Sequence, residues 1–167
     1  QYDFVTVVLH ELGHGLGFSG SASESGGTGS LGLGGSSYPK AYDRFVLNGS
    51  SAAITSFTNP SVALGTQLTS DNLFSNAPTA VTVNGSANVK LYLPVTWDSG
   101  SSFSHWDDGT FPAGNAHSLM THAIGTAEAI HDPGDITRGL FEDMGWKLTN
   151  TAEAIMEVRT VWFSDLT

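Results

Sequence analysis

The chain reads as an α+β domain: an amphipathic helix close to the N-terminus, a loop-rich remainder with a few extended segments, and a helix near the C-terminal end. Three observations predict this. His10-Glu11-Leu12-Gly13-His14 lies where Val5, Val8, Leu9, Leu12 and Leu16 recur at three- and four-residue steps, the helical period. Val81-Thr82-Val83 and Val89-Lys90-Leu91-Tyr92-Leu93 flank Asn84-Gly85, the pattern of paired extended segments about a tight turn. Between 135 and 145, Ile136, Leu140, Phe141 and Met144 share one helical side, with Asp135 as cap and Gly145 as stop.

Taken in order, the first helix presents two faces. The Val5/Val8/Leu9/Leu12/Leu16 stripe is its expected core side, and Asp3, Thr6, His10, His14 and Gly17 fall on another. Gly15 and Gly17 are natural stops, because glycine accepts the left-handed conformation that follows a last helical turn. Residues 19–37 are rich in serine and glycine and read as a long flexible connection that rims a cleft or offers an autolysis site. Order returns with Tyr42, Phe45, Val46 and Leu47, closed by an Asn48-Gly49 turn. Residues 149–167 fit a strand or a helix equally and read as a tail or the start of a following segment, so the domain proper is 1–148.

The chemistry sits in the first helix. Residues four apart on a helix share a face, with Cβ atoms about 5–6 Å apart. Imidazoles at that spacing can both reach one metal ion at about 2.0–2.1 Å per bond. Glu11, one step round, lies beside such an ion rather than on it, where it can accept a proton from an activated water. Two ligands and a base therefore come from one rigid element. The third ligand is remote in sequence, and His105, His117, His122 and His131 are the histidines that remain.

Further motifs narrow the choice: Ser104-His105-Trp106-Asp107-Asp108, then Ser118-Leu119-Met120-Thr121, then Asp135-Ile136-Thr137 through Glu142-Asp143-Met144-Gly145-Trp146. Together with the first helix they make residues 1–18 and roughly 38–146 resemble the leishmanolysin-type peptidases of the metzincin clan and their bacterial secreted relatives. The commoner metzincin pattern puts a third histidine three residues after the glycine at 17, where this chain has Gly20. The resemblance implies instead that His105 joins His10 and His14 on one catalytic Zn2+. It implies that Met120 is the methionine beneath the metal, Gly17 the structural turn and Glu11 the general base of an endopeptidase. Such enzymes carry an upper β-sheet subdomain ahead of the metal helix, which this chain does not contain. The expectation is that an N-terminal sheet subdomain comes from the same precursor or from a partner chain, leaving the outer helix stripe partly uncovered meanwhile.

His117, near the methionine turn, is the runner-up for third ligand. His131 precedes the turn Asp132-Pro133-Gly134 and reads as structural; Glu24, in the Ser/Gly stretch, suits a carboxylate ligand poorly. His122 stands two residues after Met120, where some metzincins carry a tyrosine, and is expected as a donor to an oxyanion, as a fifth ligand, or as an ordinary turn histidine. Asp107 and Asp108 are the candidates for Ca2+, with no further feature in their support.

Composition bounds the partners. With 16 acidic and 6 basic residues the net charge is −10, which disfavours nucleic acid and anionic membrane surfaces. No apolar run is long enough to insert in a membrane. Peptides and proteins are the expected substrates. The absence of cysteine separates the chain from the cysteine-rich eukaryotic members of the resembled group and points to a bacterial, secreted protein. The rival readings are a zinc-containing binding or adhesion module without catalysis, and a structural metal site; neither needs a carboxylate between the two helix histidines.

Overall fold

The computed structural model describes residues 2–33 and 36–148. It is a small mixed α+β domain with four helices and two small antiparallel sheets among those residues. The expectation for 149–167 lies outside them.

Helix α1 (Phe4–Gly15) opens with Asp3, whose carboxylate accepts from both the amide and the hydroxyl of Thr6 at 2.8 Å. It closes in a Schellman motif. Gly17 takes a φ of +111°, its amide donates to the His14 carbonyl, and the Phe18 amide donates to that of Gly13. Its buried side is Thr6, His10 and Gly13, with Leu9 half-buried. Val5, Val8, Leu12 and Leu16 are exposed, Leu12 at 55%. The apolar stripe therefore faces outward, which corrects the expected core side and agrees with the expected uncovered face. The helix buries what meets the rest of the domain: imidazoles and a glycine.

The serine-glycine segment is a hairpin, not an unstructured connection. Strands β1 (Ala22–Ser25) and β2 (Thr28–Leu31) pair antiparallel about Gly26-Gly27, both at positive φ. Two consecutive left-handed residues match the twist of a two-residue hairpin loop, and glycine makes them free of strain. Helix α2 (Val62–Leu68) lies on this hairpin, and a Cβ at Gly29 would stand 2.5 Å from the Gly65 amide nitrogen. Small residues permit an approach that larger ones would forbid.

Strands β3 (Val46–Asn48), β4 (Leu73–Ser75) and β5 (Val89–Lys90) form the second sheet in that order. Residues 81–83 belong instead to helix α3 (Pro78–Val83), so β5 pairs with β4 and the expected 81–93 hairpin does not form. Proline at the first helical position suits a helix start. Asp143 then supplies the cap that Ala77 cannot, accepting from the Thr79 amide and hydroxyl at 2.8 Å. Asp143 ends helix α4 (Gly134–Asp143), which buries Ile136, Leu140 and Phe141. Asp135 is not the cap. It lies in the first turn and pairs with Arg138, while Asp132 accepts from the Gly134 amide at 2.8 Å. Gly145 stops α4 as expected, in a second Schellman motif at φ +104°.

The core gathers Phe18, Tyr42, Phe103, Trp106, Leu119 and Met120 with Ile136 and Leu140. Trp106 is fully buried, donates its indole N–H to Thr137, and its amide donates to the Met120 carbonyl at 2.9 Å. That backbone bond sets the residue before it, His105, beside the turn that carries Met120.

Candidate metal centre

Three histidines from distant parts of the chain meet at one point. His10 and His14 come from successive turns of α1, and His105 comes from the segment anchored by Trp106. Their Nε2 atoms are 3.0 Å (His10–His14), 3.1 Å (His14–His105) and 3.3 Å (His10–His105) apart. Each Nδ1 lies 2.7 Å from a main-chain carbonyl: Leu119 for His10, Phe18 for His14 and Ser101 for His105.

The tautomers follow from that arrangement. A carbonyl oxygen only accepts, so each Nδ1 carries the proton and donates it. Each neutral ring then presents a bare Nε2 lone pair, and three lone pairs face one another across about 3 Å. Nitrogens so placed repel unless a cation lies between them. A tetrahedral ion with bonds of about 2.0–2.1 Å holds its ligand nitrogens about 3.3–3.4 Å apart, close to the separations found. The three residues could hold one metal ion, and the carbonyls supply the outer contacts that orient metal-binding imidazoles. Burial holds His105 down to about 4, with the neighbouring His14 and His10 adding to it, and burial lowers His10 as well. His105 therefore stays neutral and available as a ligand well below pH 6.5, and burial favours the neutral form of His10 in the same direction.

Met120 ends a short 3₁₀ turn (Ser118–Met120) and is completely buried against α1. A Cβ at Gly13 would stand 2.5 Å from its sulfur, so the helix passes directly over the thioether between the two histidine positions. The same turn provides the Leu119 carbonyl that orients His10. Gly20 can carry no ligand, and a Cβ there would collide with the Phe103 ring.

Glu11 is exposed and lines a cavity of about 380 Å³ together with His10, His122, Val7 and Ile124. His122 stacks face to face on Tyr92, with centroids 3.7 Å apart and ring planes 7° from parallel, and its Nδ1 is 3.4 Å from Asp108. Sequence reasoning missed Tyr92, whose only signal was its place in an alternating strand pattern.

The rival ligands lie elsewhere. His117 packs edge-on against Phe111, His131 bonds to Asp3 at 2.9 Å, and Glu24 accepts from the Gly27 amide in the hairpin. The Ca2+ candidates do not converge: Asp107 binds the Thr110 amide and hydroxyl, whereas Asp108 faces His122. Among the described residues, the histidine triad is the one group of metal-ligating side chains that converges. Comparison with protein-family models, with curated proteins and with solved structures gave no match.

Proposed function

We propose that the chain is a zinc-dependent endopeptidase, with Glu11 as general base. The observation that carries the reading is the convergence of three imidazole Nε2 atoms beside an exposed carboxylate that lines an open cavity. Held there, Zn2+ would supply Lewis acidity, polarising the scissile carbonyl and lowering the pKa of water to about 7.

The chain's own residues do the rest. His10, His14 and His105 would hold the ion with three protein ligands, whereas a structural site is usually closed by four. Glu11 takes one proton from water as its oxygen bonds to the carbonyl carbon. It returns that proton to the departing nitrogen as the C–N bond breaks, giving an acid and an amine. His122 faces the same cavity as Glu11 and is assigned as donor to the developing oxyanion, its ring held by stacking on Tyr92. Met120 supports the ligand-bearing helix from below.

The resemblance to leishmanolysin-type metzincins supports the same assignment and implies a secreted bacterial enzyme acting on peptides or proteins. The test is Glu11→Gln, which is expected to retain about one zinc per chain and to lose peptide cleavage. Cleavage that survives this substitution refutes the base assignment. A non-catalytic binding module would take up zinc without cleaving any substrate.

A further inference from the structure

Val5, Val8, Leu12 and Leu16 stand exposed in one row along α1, at three- and four-residue steps. Trp146 extends that row past the end of the helix. Its indole N–H donates to the Leu16 carbonyl at 2.9 Å, and both Trp146 and Leu148 are exposed as well. A Cβ on Gly15, beside Leu16, would meet no atom within 4 Å, so the ground next to the row is open. Other exposed large apolar residues, such as Leu33, Val62 and Val95, come singly from separate segments and need no partner. A contiguous row is different, because it marks a surface of contact.

The bond from Trp146 to Leu16 brings the chain out of α4 at one end of the row. Residues 149–167 follow at once. Ile155, Met156, Val158, Val161, Trp162 and Phe163 give them large apolar groups to bury, set among Glu153, Glu157, Arg159 and Asp165, which belong in water. Their length is sufficient. Helix α1 has 12 residues and is about 18 Å long, and residues 149–167 outrun it even at a helical rise of about 1.5 Å per residue. Tethering favours the contact further, since a segment anchored at the edge of a surface meets it at an effective concentration in the millimolar range.

We infer that residues 149–167 lie back along the outward row of α1 and bury Leu12 and Leu16, with Trp162 and Phe163 as their main anchors. The two aromatic rings bring the most area to the contact. Neither the metal nor cleavage is required for it, so it stands or falls apart from the peptidase reading. The chain has no cysteine, so a benzophenone attached to Leu12→Cys in the full chain labels one point on the row. Photolysis and mass mapping are expected to place the cross-link within residues 149–167 of the same molecule. Capture should be about tenfold stronger than from the same label on Val62→Cys, exposed on α2, the bias that burial of a large apolar side chain confers. Trp162→Ser with Phe163→Ser should lower capture at position 12 to the level seen at position 62. Cross-links between molecules, rising with protein concentration, would give the row to a second copy and overturn the assignment. Equal capture from both positions, or capture indifferent to the two serines, would also overturn it. So would no capture of residues 149–167, which would leave the row to a sheet subdomain from a precursor or partner.

Discussion

The sulfur of Met120 lies directly beneath Gly13, so close that a Cβ on Gly13 would stand 2.5 Å from it. Glycine at this position of α1 is a packing requirement. Alanine would gain about 1 kcal/mol of helix propensity but overpack a methionine that has no solvent to move into, at about 1–3 kcal/mol. Gly13→Ala should lower stability in a denaturant titration, and it should help rather than harm when Met120→Ala has already opened the space. Additive effects in the double variant would show that the two do not share that space.

The ligand assignment is separable from its rival. Loss of contacts behind a ligand already costs about 10–100-fold in metal affinity, so removing a ligand should cost more. His105→Ala is expected to weaken zinc binding by over about 100-fold in competition with a chelating dye. His117→Ala should leave it unchanged; the reverse order would transfer the third position to His117.

Acid stability of the metal-free protein follows from His105. Its proton affinity is depressed to about 4 in the fold against 6.5 in an unfolded chain, chiefly by burial. Between those values the unfolded state binds the extra proton, so stability rises with pH there. The contribution is present in full above about pH 6.5 and is lost as the pH falls towards 4. Thermal melts of apo protein should decline across that window, and His105→Asn should decline less. An identical slope in the variant would contradict the assignment.

His122→Phe keeps a ring to stack on Tyr92 and deletes both nitrogens. Removal of one oxyanion donor commonly costs about 10²–10³ in kcat, and a fall of that order with little change in KM is expected. Unchanged turnover would return His122 to the role of a turn residue.

Much of this architecture was legible in sequence where it depends on neighbours along the chain. Gly17 and Gly145 stop α1 and α4 because a left-handed residue is a local requirement. The His10/His14 pairing is likewise local, a consequence of helical spacing. His105 could be named only through a motif resemblance, since nothing in spacing ties it to residues more than ninety positions away. The misreadings have tertiary causes. Val81-Thr82-Val83 favours extended backbone, but Pro78 starts a helix there and Asp143 caps it from another element. The apolar stripe of α1 predicts the inward side by pattern alone, whereas the buried side is set by what lies opposite, Met120 and the third imidazole. In the hairpin, Gly26-Gly27 is the turn signal, and a composition typical of linkers surrounds it.

The aiming of all three imidazoles falls to peptide oxygens, those of Leu119, Phe18 and Ser101. Every amino acid carries that oxygen, so side-chain replacement at those positions leaves the orienting groups in place. Tuning by exchange of a carboxylate for an amide, available where acidic residues do the orienting, is closed to this centre. Its ligands keep their alignment as long as the main chain keeps its course, which makes the trajectory of three short backbone stretches the quantity that sets the geometry of the centre.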